Sequence, residues 1–166
     1  VHIPFAQITR RLTSAMIERR ARIAAMGLIR DFGINTPHLA FAGLNPHAGE
    51  SGKMGNEESR IIRPAMEALE AEGIHVSGPY PPDALFTENI RSGYDAAICM
   101  YHDQALIPVK ALDFDEGVNV TLGLPIIRTS PDHGTAYDIA GTGSANPGAM
   151  IAAIRMAGTC AAYRQL

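Results

Sequence analysis

The 166-residue sequence predicts a layered α/β domain. Short apolar runs of strand length, at residues 38–44, 74–78 and 94–100, alternate with longer segments whose apolar side chains recur at helical spacing. Hydrophobic residues make up 46% of the chain and charged residues 19%, which is the composition of an ordinary globular domain. Because a chain of this length buries roughly 70% of its unfolded surface, we expect a core that needs no disulfide or metal.

Three helices are predicted from apolar spacing and from end signals. Over residues 7–32 apolar side chains recur every three, four or seven positions, which predicts one long amphipathic helix ending near Gly33. A second helix covers residues 57–72, with Gly73 as its stop. The last helix runs from about residue 147 to 163 and begins at a proline, as helices often do.

The three apolar runs predict buried strands, and the segments between them predict loops. Residues 118–130 favour β-structure and are interrupted by Pro125. Loops rich in glycine are predicted at residues 45–56 and 141–148. We therefore expect a single α/β unit over residues 1–166.

Charge and cysteine content exclude several classes of function. With 14 basic and 17 acidic residues the net charge is −3, so no basic surplus is available to neutralise a nucleic-acid backbone. The longest apolar run, near residues 96–101, has about six residues, far below the ~20 of a membrane span. We expect no secretory leader, and Cys99 and Cys160 lie far apart, which predicts free thiols in a reducing cytosol. We expect a cytoplasmic protein that binds neither nucleic acid nor membrane.

Two glycine-rich strings fail as nucleotide-binding motifs. In GESGKMG (49–55) a phosphate-binding loop would need a glycine at His47 and a hydroxyl residue at Met54. In GTGSAN (141–146) Asn146 replaces the third glycine of the dinucleotide fingerprint. Signatures of serine hydrolases, zinc peptidases and Cys₂His₂ sites are absent from the sequence.

Three of the six histidines lie at the ends of predicted elements, namely His2, His47 and His102. Open α/β sheets bind ligands just past the ends of their strands, and converging neutral imidazoles there could hold a divalent metal. The spacing alone leaves open whether the three side chains meet. His38 and His75 lie on strand-like segments, where a structural role is expected.

Polar groups are concentrated between residues 103 and 128. Asp103 follows His102, and Asn119 interrupts an apolar strand, where it needs a hydrogen-bond partner. Lys110 and Arg128 are isolated cations in apolar surroundings, and together they would suit a phosphate or carboxylate. A solvated lysine and a structural arginine are the alternative interpretation.

Residues 130–150, SPDHGTAYDIAGTGSANPGAM, resemble the cofactor loop of the isocitrate/isopropylmalate dehydrogenase superfamily, whose pattern is H-G-(S/T)-A-x-D-I-A-G-x-G-x-A-N-P. That superfamily has a three-layer α/β fold and binds NAD without the dinucleotide fingerprint. The resemblance implies that His133 and Asn146 contact the adenine and that Asp138 contacts the adenosine ribose. An acid there repels a 2′-phosphate, which favours NAD over NADP. The implied cofactor site also contains Gly134, Thr135 and Ala136.

Four further strings resemble the 4-hydroxythreonine-4-phosphate dehydrogenase family of vitamin B6 biosynthesis. They are GLNPHAGESGKMGNEE (43–58), GPYPPDALF (78–86), YHDQALIPVK (101–110) and GVNVTLGLPIIRTS (117–130). The resemblance covers nearly the whole chain, but it extends only to the C-terminal half of the family's longer chains. It therefore implies that this chain is the C-terminal half of a two-domain enzyme with the isocitrate/isopropylmalate dehydrogenase-like fold.

The family resemblance also implies roles for individual residues. His2, His47 and His102 would be the metal ligands, a set that suits zinc better than magnesium, with manganese or cobalt as further possibilities. Lys110, Asn119 and Arg128 would contact the substrate. Asp83 and Asp103 would lie near the reacting carbon, and with Lys110 they are the candidates for proton transfer.

The implied reaction is the NAD-dependent oxidation of 4-phosphooxy-L-threonine to a 3-oxo acid, which decarboxylates to 3-amino-2-oxopropyl phosphate. The resemblance implies a homodimer whose metal ligands come from both subunits, and the long first helix would suit an interface. Related enzymes oxidise 4-phospho-D-threonate, phosphorylated erythronate or aromatic cis-dihydrodiols, and these substrates remain alternatives. A metal- or nucleotide-binding fragment without catalytic activity is the alternative from a different class.

Overall fold

A computed structural model describes residues 2–113 and 116–164 of the chain. The strands are β1 (His38–Ala42), β2 (His75–Tyr80), β3 (Ala96–Ile98), β4 (Val118–Val120) and β5 (Thr129–Pro131). The helices are α1 (Ile8–Arg11), α2 (Ser14–Phe32), α3 (Arg63–Ala71), α4 (Pro82–Leu85), α5 (Glu88–Arg91), α6 (His102–Leu112) and α7 (Gly148–Arg164). A π-helical turn at Glu58–Ile62 leads into α3, and further turns lie at Phe5–Gln7, Pro46–Gly52 and Tyr137–Ile139.

The centre of the fold is a parallel sheet of three strands in the order β2-β1-β3. In the middle strand Leu39 pairs with Val76 of β2 on one side and with Ala96 of β3 on the other. Because all three strands run in the same direction, their carboxyl ends form one edge of the sheet. That edge carries the loops in which a functional site is expected.

Helices cover one face of the sheet. Leu39 and Phe41 of β1 are fully buried there against Ile17 of α2 and Leu69 of α3. Fully burying a side chain of this size stabilises a fold by about 1.5–3 kcal/mol, so this cluster is the principal core.

The opposite face is covered by the connection between β2 and β3. Ala40 and Ala42 of β1 are fully buried against Leu85, with Phe86 and Tyr94 packed around them. Small side chains on β1 let this layer approach the sheet closely. The domain is therefore a three-layer α/β structure whose middle strand is buried on both faces, as its apolar run predicts.

A second, antiparallel pair of strands lies outside the central sheet. In this hairpin of β4 and β5, Asn119 pairs with Ser130 and Val120 with Thr129. The hairpin packs on α7, where the Thr129 hydroxyl donates to the carbonyl of Ala153 at 2.9 Å. Helix α7 in turn packs on α2 and so joins the hairpin to the principal core.

The prediction of one helix over residues 7–32 is wrong at a single point. Leu12 is extended, with ψ 126°, and Thr13 then caps α2 by accepting a hydrogen bond from the Met16 N–H at 3.2 Å. A threonine at this position satisfies a free N–H of the first turn, which favours a new helix start. The buried side chain of Leu12 keeps the apolar spacing intact, and for this reason the break is invisible in the periodicity.

Helices at residues 82–91 and 102–112 are also absent from the sequence prediction. In α6, Pro108 stands inside the helix, where the absence of its N–H ordinarily argues against helical structure. The β-leaning segment 118–130 forms two three-residue strands rather than one, separated by a loop that contains Pro125. No helix within residues 2–113 and 116–164 is both long and apolar enough to cross a bilayer.

Asp31 is a buried carboxylate near the end of α2 that joins three parts of the fold. Arg164 of α7 donates to its two oxygens at 2.6 and 3.1 Å, and Arg30 donates to them at 2.7 and 3.0 Å. Arg164 also donates to the carbonyl of Pro125 in the hairpin loop, at 3.1 Å. The guanidinium groups of Arg164 and Arg30 hold the pKa of Asp31 far below its usual range.

We expect Asp31→Asn to lower the free energy of unfolding by about 2 kcal/mol at pH 7, because Arg164 and Arg30 lose their shared counter-charge. Because the pKa of Asp31 is lower in the folded than in the unfolded state, ionised Asp31 stabilises the fold at pH values above about 3.9, the pKa of an unfolded aspartate. This contribution is lost as the pH falls. The difference between wild type and variant should therefore shrink below pH 4 in urea unfolding curves.

Glu72→Gln is the matched control, since Glu72 forms an ion pair with Arg22 at 2.6 Å on the surface. This change should leave the unfolding midpoint nearly unchanged. Equal effects of the two substitutions, or a pH-independent effect of Asp31→Asn, would contradict the role assigned to Asp31.

Candidate functional site

Three predicted site residues follow the carboxyl ends of the three parallel strands. His47 lies in the loop after β1, Asp83 in the first turn of α4 after β2, and His102 at the start of α6 after β3. All three side chains are exposed. The topology therefore places them along one edge of the sheet, where open α/β proteins bind their ligands.

His2 and His102 form a pair at this edge. Their ring centroids are 4.7 Å apart and the ring planes are tilted by 34°. Nδ1 of His102 donates a hydrogen bond to Oδ1 of Asp103 at 2.7 Å. In the neutral tautomer this bond leaves the Nε2 lone pair free, which is the arrangement of a histidine prepared to bind a metal.

His47 does not join this pair. Among residues 2–113 and 116–164, no group of three His, Cys, Asp or Glu side chains is arranged to hold a metal ion. One copy of the chain thus brings together two of the three predicted ligands, and the complete ligand set stays a prediction.

The turn that carries His47 has an unusual backbone. Residues 47–51, within the turn Pro46–Gly52, all have positive φ, between 42° and 80°. Only Gly49 among them adopts this conformation without steric cost, whereas each L-residue in the left-handed region costs about 1–2 kcal/mol. Strained backbone that persists in a folded protein is concentrated at functional sites, because the surrounding structure must compensate for it.

The buried carboxylate of Glu58 supports this turn. Its Oε1 accepts hydrogen bonds from the N–H groups of Leu44 and Asn45 at 2.8 and 2.7 Å, and its Oε2 accepts one from Asn45 Nδ2 at 3.0 Å. Burial by itself would raise the pKa of Glu58, but these hydrogen bonds outweigh it and lower the pKa below its ordinary value. The carboxylate therefore stays ionised and fixes the first residues of the loop.

Gly49 is required by the same contact. A Cβ atom at this position would lie 2.6 Å from Oε2 of Glu58, and its φ of 80° disfavours any other residue. The loop after β1 is thus built around the Glu58 side chain.

Five of the six predicted cofactor residues line one pocket of about 630 Å³. They are His133, Gly134, Thr135, Ala136 and Asn146. Asp138 does not line it: this residue lies in the adjacent turn Tyr137–Ile139 and is exposed. The predicted loop therefore encloses a space in the size range of small-molecule sites.

Two polar side chains of this pocket have fixed orientations. Nδ1 of His133 lies 2.9 Å from the carbonyl of Gly134, which can only accept, so this nitrogen carries the proton. Oδ1 of Asn146 accepts the N–H of Gly148 at 2.9 Å, which directs its amide nitrogen away from that contact. An imidazole acceptor and an amide donor are therefore available to a ligand.

Lys110 reaches the same pocket from α6. Its Nζ donates to the backbone carbonyl of Asp132 at 3.1 Å and lies 3.3 Å from the Asp132 carboxylate. It is therefore not an isolated cation in apolar surroundings. This contact joins α6, which begins at His102, to the start of the predicted cofactor loop.

Asn119 and Arg128 share one face of the β4–β5 hairpin. Asn119 pairs with Ser130, and the Thr121 N–H donates to the Arg128 carbonyl at 2.9 Å, so alternate residues of both strands point to the same side. Arg128 also donates to the Thr121 hydroxyl at 2.9 Å. Both predicted substrate residues are exposed, so Asn119 does not interrupt a buried strand and Arg128 does not lie in apolar surroundings.

A second cavity of about 520 Å³ lies beside His2. It is lined mainly by apolar side chains, and Arg20 and Cys99 also line it. Burial raises the pKa of the Cys99 thiol to about 12, so it is a protonated thiol rather than a thiolate ligand. Cys99 and Cys160 are both free, as predicted.

Two residues of this edge, Glu58 and Gln104, were not predicted from the sequence. The amide of Gln104 is buried and joins the ends of β1 and β3. Glu58 stands at helical spacing from the buried Ile62, Ala65 and Leu69. A charged residue on the apolar face of a helix indicates a specific hydrogen-bond partner, and this pattern would have indicated Glu58.

Two solved structures of dehydrogenases have a fold similar to that of this chain. A crystal structure of 4-hydroxythreonine-4-phosphate dehydrogenase from Klebsiella pneumoniae is similar with a TM-score of 0.87 and 46% identity, over 96% of this chain and 49% of that one. A terephthalate 1,2-cis-dihydrodiol dehydrogenase from Burkholderia xenovorans is similar with a TM-score of 0.75 and 36% identity, over 96% and 52%. These similarities confirm the predicted fold class.

The chain belongs to the family of the pyridoxal phosphate biosynthetic protein PdxA, whose family model matches residues 1–157. A 4-hydroxythreonine-4-phosphate dehydrogenase from Erythrobacter litoralis is 65% identical over 164 residues, which are 99% of this chain and 49% of that protein. One from Xanthobacter autotrophicus is 57% identical over 157 residues, or 95% and 45%. The chain thus spans about half the length of the curated relatives that it matches.

We expect Ser51→Gly to raise the free energy of unfolding by about 0.5–1 kcal/mol, because glycine removes the cost of the left-handed conformation at φ 57°. Ser51 is exposed, so the change removes no buried contact. Ser92→Gly is the control, since Ser92 has a right-handed helical backbone and should lose stability. Urea unfolding tests both variants, and destabilisation by Ser51→Gly would contradict the described turn.

Proposed function

We propose that this chain is the C-terminal half of an NAD- and metal-dependent dehydrogenase that oxidises 4-phosphooxy-L-threonine. The product would be a 3-oxo acid, which loses carbon dioxide to give 3-amino-2-oxopropyl phosphate in the synthesis of pyridoxal phosphate. The observation that carries the proposal is the pocket in which Lys110 meets five residues of the predicted cofactor loop, in a chain of the PdxA family.

The cofactor loop fits NAD by its donors and acceptors. His133 offers an imidazole acceptor and Asn146 an amide donor, which suit the edge of an adenine ring. Asp138, on the exposed turn beside the pocket, would accept hydrogen bonds from the ribose hydroxyls and disfavour a 2′-phosphate. NAD supplies the hydride acceptor, a chemistry that no side chain provides.

The histidine pair fits a divalent metal by the chemistry of its donors. His2 and His102 offer two adjacent imidazoles, and Asp103 orients the second of them. His47 would complete the set, with ligands drawn from two subunits, which agrees with finding only two of the three together in one copy. Zinc suits three imidazoles best, with magnesium, manganese or cobalt as alternatives, and the metal would act as a Lewis acid on the substrate hydroxyl.

The remaining site residues bind the substrate and move its proton. Arg128 and Asn119 lie on one exposed hairpin face, where a guanidinium and an amide suit an oxyanion such as a phosphate or carboxylate. Asp83, Asp103 and Lys110 are the candidates for accepting the hydroxyl proton. Asp103 is hydrogen-bonded to His102, so a proton accepted by Asp103 would be taken up next to a predicted metal ligand.

A homodimer is the proposed assembly, and exposed apolar side chains on two packed helices support it. Met26 and Ile29 of α2 are 60% and 47% exposed, and Ile154 of α7 is 64% exposed. Large apolar side chains left in water on adjacent helices are typical of a protein interface. We place this dimer in the cytoplasm, in keeping with two free cysteines.

Oxidation of a cis-dihydrodiol is the second candidate, because a dihydrodiol dehydrogenase is among the similar structures. That substrate carries no phosphate, so the cations Lys110 and Arg128 favour the phosphorylated substrate instead. Phosphorylated sugar acids such as 4-phospho-D-threonate or erythronate would satisfy the same cations and remain alternatives.

The test is NADH formation by the full-length protein with 4-phosphooxy-L-threonine, 4-phospho-D-threonate and a cis-dihydrodiol, each with and without a chelator. We expect turnover of the first substrate that the chelator abolishes, because the metal acts on the hydroxyl. Preference for another substrate would contradict the assigned substrate. NAD binding without turnover of any substrate would favour the non-catalytic alternative.

Matched histidine variants separate the metal site from the fold. His102→Ala should lose bound zinc while keeping its unfolding midpoint. His75→Ala should keep both, since His75 stacks on His38, a residue that begins β1 at the opposite edge of the sheet. Wild-type zinc content in His102→Ala would contradict the ligand assignment.

A further inference from the structure

We propose that Asp132 is a positioning residue through which binding of the cofactor strengthens binding of the phosphorylated substrate. It acts through the peptide group that joins it to His133, because the carbonyl of this group holds the ammonium of Lys110. This role rests on the proposed function, in which His133 contacts the cofactor and Lys110 the substrate. All three residues line the same pocket of one copy of the chain.

Asp132 offers two oxygens to Lys110. Nζ of Lys110 donates to the Asp132 backbone carbonyl at 3.1 Å and lies 3.3 Å from the Asp132 carboxylate. A lysine side chain is a point charge on a flexible stem, so its position depends on the groups that hold its ammonium. Lys110 makes a further interaction besides these two. Loss of the contacts with Asp132 would therefore shift the ammonium rather than leave it without a partner.

The carbonyl that holds Lys110 and the backbone N–H of His133 belong to one peptide group. A peptide group is planar and rigid, so its carbonyl and its N–H can only rotate together. A ligand that fixes His133 therefore restricts the direction of the carbonyl that Lys110 binds. The two predicted ligands thus act on the two sides of a single peptide bond.

Asp132 stands between an anchored strand and a loop with mainly local contacts. Before it, β5 pairs with β4, and the Thr129 hydroxyl donates to the Ala153 carbonyl of α7 at 2.9 Å. After it, the hydrogen bonds of residues 133–146 within the described part of the chain join residues at most three positions apart. A segment held mainly by local hydrogen bonds has low local stability, and ligand-binding loops are drawn from such segments.

A cofactor in the pocket would order this loop from its first peptide group onward and so restrict the Lys110 ammonium. The substrate would then bind a lysine that has already lost part of its freedom, which gives positive coupling between the two ligands. Such coupling is reciprocal and typically amounts to about 5–150-fold in affinity. Arg128 is held separately, because its guanidinium donates to the Thr121 hydroxyl of the hairpin at 2.9 Å.

The test measures the affinity of the full-length protein for 4-phosphooxy-L-threonine by calorimetry, with and without ADP-ribose. ADP-ribose keeps the adenosine and both phosphates of NAD but lacks the nicotinamide, so contact between nicotinamide and substrate does not contribute. Asp132→Gly removes the carboxylate and frees the backbone beside the peptide group, whereas Asp132→Asn keeps a Cβ and a side-chain oxygen. Lys110→Met removes the ammonium and leaves this peptide group unchanged.

Thr121→Val is the control, because it releases Arg128 and does not alter the peptide group after Asp132. We expect ADP-ribose to raise the substrate affinity about 5-fold or more in wild type, Asp132→Asn and Thr121→Val, and less than about 2-fold in Asp132→Gly and Lys110→Met. Urea unfolding midpoints of the same samples show which variants are folded. Wild-type coupling in Lys110→Met or in folded Asp132→Gly would overturn the proposal.

Failure of the proposed function gives a different result. Wild-type protein that binds ADP-ribose and 4-phosphooxy-L-threonine independently of one another would overturn the coupling and leave the proposed function intact. Wild-type protein that binds neither ADP-ribose nor NAD would contradict the proposed cofactor, and the role of Asp132 with it.

Discussion

The carboxylate of Glu58 is the constraint on which this site depends. At the end of β1 the chain must turn at once into a loop whose residues 47–51 have left-handed backbone conformations, and such a loop does not form by local preference. Glu58 binds the first two N–H groups of the loop and the side chain of Asn45. Ionised hydrogen bonds are stronger than neutral ones, and burial inside the loop leaves no water to replace them.

The site follows from this arrangement by a short chain of contacts. Glu58 fixes the residues after Gly43, Gln104 joins Gly43 to Met100, and Met100 leads to His102, which pairs with His2. From the other end of α6, Lys110 reaches Asp132 at the start of the predicted cofactor loop. The edge of the sheet is thus continuous with the pocket, although the elements that form them are widely separated in the sequence. A chain that spans about half the length of its relatives still contains both regions.

The sequence predicted the central layers well because the signals there are local. Strand β1 is buried on both faces and β2 and β3 are largely half-buried, so each is indicated by a short apolar run, and end signals such as Gly73 and Pro147 indicate α3 and α7. The break at Leu12 was not predicted because α1 and α2 continue the same apolar spacing. Helix α6 was not predicted because it contains Pro108 and because apolar residues such as Ile107 are exposed, which obscures the helical pattern. The left-handed turn was not predicted, because glycine is the residue that ordinarily indicates positive φ and only one of residues 47–51 is a glycine. The pairing of His2 with His102 depends on tertiary structure, and only the family resemblance pointed to it.

The most direct test of this account is the hydrogen exchange of the Leu44 and Asn45 amides in Glu58→Gln, measured together with the free energy of unfolding. We expect both amides to lose protection and the free energy of unfolding to fall by about 2 kcal/mol. A neutral glutamine accepts the two N–H hydrogen bonds more weakly, and its NH₂ group would face the NH₂ group of Asn45. Glu57→Gln, which also contacts Asn45 but not these two N–H groups, should have a smaller effect. Wild-type protection of both amides in Glu58→Gln would show that the turn holds its shape without the carboxylate, and would contradict the account.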